Sequence, residues 1–422
     1  MKDNYFFDNA ATSFPKPESV YRFMDTFARE AAVNPGRSGY ALSIESEQMV
    51  HQTRRMFAEF FNSSADPGRV VFTQNITDSI NLVLQSLLAK GGHVIASDAE
   101  HNSVLRPIAH ANRDGRAQVS YIRVDDDGYI DLDSMAESFR TDTRVVIVNH
   151  GSNVTGAVQD LPAISALCKS HGVPLLLDTA QTAGVLPINL QTTPVDMLAF
   201  TGHKGLFGPT GIGGLVLGPD VELSPQRVGG TGVDSADPYQ PDSYPARLEA
   251  GTLGIHAISG LHAAQHWFAS IGQAVDTMDV TSEELIDPID DNGTSPVSAD
   301  HHRLCALAQS HIGKRELTHI DKLIDALRDH PKIRLFGHTK SELPRVATLS
   351  LLMTHLSSTE IGERLDADHH ICVRTGLHCA PKIHQHLDTL GSDGAVRFSP
   401  GYFTTDGDIE HAISALLELA NE

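Results

Sequence analysis

Between residues 70 and 201 the chain alternates short apolar runs with helix-like stretches, and this alternation narrows the possible folds most. The runs at 70–73, 93–97, 119–124, 145–149, 173–178 and 195–200 are unbroken and rich in valine, isoleucine and leucine. Strands covered on both faces, as in a parallel sheet, read this way. The stretches at 75–88, 104–112, 132–139 and 164–171 read as the covering helices. The expected class is α/β: a large domain with a mostly parallel sheet covered by helices, then a smaller C-terminal α/β domain. The expected large domain is 15–258, and the small one joins 1–14 to 259–422. A long helix at 255–274 links them, with further helices at 313–328 and 358–366 and strands at 333–336 and 346–352. In such sheets ligands gather beyond the carboxyl ends of the strands.

The chemistry-bearing residues follow those strand ends. The run 195–200 stops at Thr201-Gly202-His203-Lys204-Gly205. A lysine there can lose its proton and attack a carbonyl; alone, the same residue reads as a solvated loop lysine. Upstream, Leu175-Leu176-Leu177-Asp178 runs straight into an acid. Alone, Asp178 reads as a cap or turn residue. Together, a strand-end carboxylate and a strand-end lysine suit pyridoxal phosphate, whose aldehyde the lysine holds and whose ring nitrogen the acid keeps protonated. Strand 70–73 meets a helix at Gln74-Asn75-Ile76-Thr77, where free N–H groups form an anion site. Thr77 alone reads as the helix cap, and both readings can hold. Arg37, in Asn34-Pro35-Gly36-Arg37-Ser38-Gly39, reads as an anion contact or a solvated arginine. Arg397, after a short apolar run, reads as a carboxylate fork or a surface ion pair. Cys379, in Arg374-Thr375-Gly376-Leu377-His378-Cys379-Ala380-Pro381, reads as an inert loop thiol or as a reactive one favoured by Arg374 and His378. Cys372 reads as a core residue.

The totals exclude several classes. With 422 residues the chain is long enough for two cores. A formal charge of −21 argues against nucleic-acid binding. Four cysteines without a C-x-x-C make no disulfide framework. Neither a signal pattern nor a run of about 20 apolar residues stands out, so a cytoplasmic protein without membrane contact is expected. No residue is assigned to a metal. Residues 276–302 are crowded with Asp and Glu. They read as a solvated acidic insert, with a docking site for a basic partner as the lesser alternative.

From Phe7-Asp8-Asn9-Ala10-Ala11-Thr12 to Phe398-Ser399-Pro400-Gly401-Tyr402, the chain resembles the class V group of fold-type I pyridoxal-phosphate enzymes, and within it the cysteine desulfurases. The Arg374 to Ala380 stretch resembles the group II cysteine loop. The resemblance implies that Lys204 holds the cofactor and Asp178 faces its ring nitrogen. It implies His101 on the ring face and Gln181 on the ring oxygen. Ile76, Thr77, Thr201, His203 and, from a second copy, Thr252 would hold the phosphate. Asn9, Ala11, Arg37, Asn153, Arg374 and Arg397 would lie around the substrate, with the carboxylate on Arg397 and Asn153. Cys379 would be the nucleophile. The implied protein is a homodimer that converts L-cysteine to L-alanine and passes sulfur, as a persulfide, to a protein or thiol acceptor. A selenocysteine lyase, another β-lyase or aminotransferase, and a non-catalytic sulfur-carrier scaffold are the rival readings. Leu377, Leu253-Gly254 and Thr404 depart from the family pattern.

Overall fold

A computed structural model describes residues 4–36, 38–277, 300–337, 339 and 343–422. Seven strands form one sheet in the order Val70–Thr73, Gly213–Leu217, Met197–Thr201, Leu175–Asp178, Thr143–Asn149, His93–Ser97, Gln118–Ile122. From Met197–Thr201 to Gln118–Ile122 the pairing is parallel. Gly213–Leu217 runs antiparallel to both its neighbours. Five of the seven strands bury every residue, which is why they read as unbroken apolar runs.

Two apolar layers enclose the sheet. On one face Phe57, Phe60 and Phe61 pack against Phe200, with the Phe57 and Phe200 rings stacked at 4.7 Å. On the other, Ile80 and Val83 of the helix Ile76–Leu87 meet Leu176 and Met197. Each such side chain contributes roughly 1.5–3 kcal/mol when fully buried. Because Phe200 and Met197 alternate across the strand that ends at Thr201, both layers fix where Lys204 leaves the sheet.

A second, antiparallel sheet has the order Arg374–Gly376, Ala395–Phe398, Leu349–Met353, Ile333–Phe336. The expected strand at 346–352 starts later, at Leu349. The helices Ser358–His369 and Asp406–Asn421 cover this sheet, each started by a capping box, Ser357 with Glu360 and Thr405 with Asp408. The N-terminal pair Tyr5–Phe6 runs parallel to Ile371–Cys372, and Asp8 bridges to Ser399. The first described residues therefore form a separate two-stranded sheet with Ile371–Cys372 and arrive beside the end of the strand carrying Arg397.

A buried ion pair clamps the loop before the helix Ile255–Asp276. Arg54 donates to both Glu249 oxygens, at 2.7 and 2.6 Å, and Glu249 also accepts from the Phe72 N–H at 2.6 Å. Both side chains are almost wholly buried. Removing one partner leaves an uncompensated charge, a loss of about 3–5 kcal/mol. Glu249→Ala is expected to lower the unfolding free energy by that much, read as a lower urea midpoint at unchanged slope, and a midpoint within error of the parent would rule out the clamp.

Candidate active site

Lys204 follows directly from the strand Met197–Thr201 and is partly buried. The carbonyl of the preceding residue, His203, is held from the N-terminal arm. It accepts from the Ser13 N–H at 3.0 Å, the Thr12 hydroxyl at 3.0 Å and the Lys16 ammonium at 3.3 Å. Behind it, Gly184 lies at φ +98°, and a Cβ there would come within 1.9 Å of the Gly205 oxygen. Glycine is thus required for the backbones to meet here. Burial pushes the Lys204 ammonium down to about 8, with Arg397 adding to the effect and Asp178, Asp8 and Cys379 opposing it. One lysine therefore senses an arginine, two aspartates and a thiol drawn from both sheets.

Asp178 ends the strand Leu175–Asp178 and is buried. Burial raises its carboxyl above the usual carboxylate range, while the Ala180 N–H at 2.9 Å, Lys204 and the Ser103 hydroxyl oppose the rise. The anion is under-compensated, so a cation placed against it would be stabilised. His101 caps the helix Asn102–Arg113, its Nδ1 accepting from the Ser103 N–H at 3.0 Å. Burial, helped by Lys204 and Arg397, lowers its imidazole to about 4. The ring is therefore neutral, with its proton on Nε2. Ser103 joins His101 to Asp178, a role that nothing in the local sequence signals.

The anion cradle differs from the expectation in one respect. Asn75, not Thr77, caps the helix Ile76–Leu87, its Oδ1 accepting from Asp78 N–H at 3.0 Å. Thr77 is left exposed, on a cavity of about 530 Å³ shared with His101, Asn102, Arg106 and Cys379. Next to Lys204, Thr201 Oγ1 and His203 Nδ1 are buried with no hydrogen-bond partner among the described residues. Burial lowers His203 to about 4, so this ring is neutral too. Gln181 donates one N–H to the Ala10 carbonyl at 3.0 Å and keeps a second for a ligand.

Arg397 is buried, at 3% exposure, which removes the surface ion-pair reading. It donates to Asp8 at 2.6 Å and to the Asn153 carbonyl at 3.2 Å, and its Nε has no partner among the described residues. Asp8 was missed in the sequence because 389 positions separate the pair; its place in Phe7-Asp8-Asn9, before a conspicuous motif, was the available hint. Asn9 donates to the Ser399 carbonyl at 3.0 Å and accepts from the Phe14 N–H at 3.1 Å, so its side chain shapes the arm. The Ala11 N–H closes the same turn on the Asp8 carbonyl at 3.0 Å.

Cys379 is exposed, whereas Cys168 and Cys305 are buried. Cys372, read as a core residue, is only partly buried. His378 and Cys379 both adopt left-handed backbone, at φ +47° and +56°. Outside glycine this costs roughly 1–2 kcal/mol per residue, so the surroundings must hold the loop. His378 does not supply the positive charge expected beside the thiol. Its buried ring lies between His384 Nε2 at 3.1 Å and the Arg374 carbonyl at 3.4 Å, and burial pushes its imidazole well below the ordinary value. It is a neutral prop for the loop. Arg374 is exposed and close enough to influence His101 and Arg397.

Thr252 is also exposed. Arg37 lies outside the described residues, as does most of the acidic insert, 278–299.

These groups fit pyridoxal phosphate. An under-compensated carboxylate, a lysine of lowered proton affinity, and polar atoms of Thr201, His203 and Arg397 without partners among the described residues are what an anionic cofactor and substrate with a basic ring nitrogen would satisfy.

A sequence model of the Aminotransferase class-V family matches residues 5–289 and 301–411. A probable cysteine desulfurase of Methanothermobacter thermautotrophicus is 30% identical, the match covering 100% of this chain and 96% of that protein. The cysteine desulfurase IscS of Shewanella frigidimarina is 28% identical over 99% and 93%. The apo structure of a cysteine desulfurase from Thermococcus onnurineus superimposes with a TM-score of 0.83 at 26% identity, covering 99% of this chain and 95% of that one.

Since an amine attacks only when unprotonated, a value of about 8 leaves roughly a tenth of Lys204 reactive at pH 7. Borohydride trapping of added pyridoxal phosphate on Lys204 in cofactor-free protein is expected to rise to half its maximum near pH 8. A half-maximum near pH 10 would show an ordinary, solvated lysine.

Proposed function

Because the chain belongs to the aminotransferase class-V family, whose members use pyridoxal phosphate, we propose that it is a cysteine desulfurase and that the residues around Lys204 are its active site. The observation that carries this reading is the shared electrostatic neighbourhood of Lys204, Asp178, Arg397 and Cys379. A scaffold without turnover would not need to keep a desolvated lysine, a buried acid, a carboxylate fork and an exposed thiol within reach of one another.

In this reading Lys204 would hold the cofactor aldehyde and Asp178 would serve the ring nitrogen. His101 and Gln181 would hold the ring, and Ile76, Thr77, Thr201 and His203 the phosphate. The bound cofactor supplies an electron-accepting ring that makes the substrate α-carbon acidic. Arg397 and Asn153 grip the substrate carboxylate and fix its orientation, with Arg374, Asn9, Ala11 and Arg37 around it. Lys204, whose hold on its proton burial weakens, takes the α-proton and later returns one. The neutral His101 can carry a proton on Nε2 between Lys204 and the substrate side. Cys379 sulfur attacks the sulfur of L-cysteine. The carbon–sulfur bond breaks, a sulfur–sulfur bond forms, and L-alanine leaves with a proton in place of its sulfur. The persulfide on Cys379 then passes its outer sulfur to an acceptor thiol, on a protein or a small molecule.

Thr252 reaches a phosphate in this scheme only from a second copy. Its exposure, on a segment that also exposes Val228, Val233 and Tyr239, supports a homodimer. We take the enzyme to be cytoplasmic; no helix among the described residues is long and apolar enough to cross a membrane.

Lys204→Ala is expected to abolish the yellow absorbance of bound cofactor. Cys379→Ala is expected to keep that absorbance and to lose about 10³-fold or more of alanine and sulfide formation from L-cysteine, the scale of losing a nucleophile. Retention of alanine formation with selenocysteine alone would favour the lyase reading. Pyruvate and ammonia in place of alanine would favour a β-lyase.

A further inference from the structure

The loop carrying Cys379 is one that its own backbone does not favour. His378 and Cys379 are consecutive left-handed residues, and neither is glycine. Such a pair persists only where neighbours over-determine it. Within the loop, the Ala380 N–H donates to the Leu377 carbonyl at 2.8 Å. The other backbone ties come from across the site. The Asn102 N–H donates to the Cys379 carbonyl at 2.7 Å, and Asn153 Nδ2 donates to the His378 carbonyl at 2.7 Å.

The second tie spans 225 positions and is made by a buried side chain. Asn153 is fixed from its other end as well, because its own carbonyl accepts from Arg397 Nη1 at 3.2 Å. Its Oδ1 is buried and has no partner among the described residues, so no competing bond from them turns the amide away from the loop. An amide nitrogen has two N–H groups. With one on His378, the other remains for a ligand held by Arg397.

We propose that Asn153 is the positioning residue of the nucleophile: one N–H clamps the His378 carbonyl and so sets where the Cys379 thiol stands relative to the Arg397 carboxylate fork. The thiol's purpose rests on the function proposed above, whereas the clamp does not. The clamp ties loop order to substrate position through a single side chain. A carboxylate seated on Arg397 meets the same amide that holds the loop, so binding and nucleophile placement are coupled without movement of the sheet.

Asn153→Asp keeps the shape and removes the donor; Asn153→Ala removes both. On cofactor-loaded protein, two signals report the loop: the rate of Cys379 alkylation by iodoacetamide, and amide deuterium exchange in residues 375–381. Both variants are expected to alkylate Cys379 at least threefold faster and to exchange faster across that loop. Alkylation of Cys372, and exchange in the strands 175–178 and 197–201, are expected to match the parent. Parental rates at Cys379 in a folded variant would overturn the proposal. So would acceleration spread evenly over those strands, which would mean general loosening. If Asn153→Asp does not fold, Asn153→Ala decides alone. Failure of the parent to make alanine from L-cysteine would count against the proposed function and leave the loop measurement standing.

Discussion

The structure depends on keeping one amine out of water. Lys204 emerges where a fully buried strand ends, and burial is the largest influence on it. Moving its proton affinity from 10.5 to about 8 corresponds to roughly 3 kcal/mol of disfavoured charge. That cost is sustained by the two apolar layers that hold the strand and by the N-terminal arm, whose donors converge on the His203 carbonyl. A looser strand end would let the ammonium reach solvent and recover its ordinary value. The fold and the reactivity are in that sense one property.

The partners of this amine come from segments far apart in the chain. Asp178 ends a strand of the large sheet and His101 follows another, while Arg397 lies in the antiparallel sheet and Cys379 in the loop that leaves it after Gly376. The pairing of Tyr5–Phe6 with Ile371–Cys372 brings Asp8 to Arg397. In this arrangement the arginine is already half engaged before any ligand arrives. A substrate carboxylate would have to share the guanidinium with Asp8, which favours ligands able to offer two oxygens.

How much of this was legible varied with the range of the interaction. Strand and helix alternation is local, and strands buried on both faces announce themselves as apolar runs, so the sheet and the strand-end positions of Lys204 and Asp178 could be read directly. Thr77 as a cap gives way to Asn75 two residues earlier, which has the higher cap propensity and takes the position. His378 beside a cysteine suggested a cation, but its charge state is decided by burial against His384 and the Arg374 carbonyl, which sequence adjacency does not reveal. The Asn153–His378 contact depends on the two sheets meeting, and the Asp8–Arg397 contact on the N-terminal arm pairing beside the second. No periodicity records them. The acidic stretch was conspicuous in composition, yet composition alone gave it no place in the chemistry.

The central claim is that a desolvated Lys204 and the Cys379 thiol serve one reaction. Mass spectrometry of cofactor-loaded protein exposed briefly to L-cysteine and split in two, one portion reduced with borohydride to fix the cofactor and the other alkylated with iodoacetamide without reduction to trap persulfide, then digested, tests it most directly. Cofactor covalently attached at Lys204, together with one added sulfur at Cys379 and at no other cysteine, is the result predicted. Added sulfur on Cys372, Cys168 or Cys305 instead, or cofactor trapped on another lysine, would contradict the account.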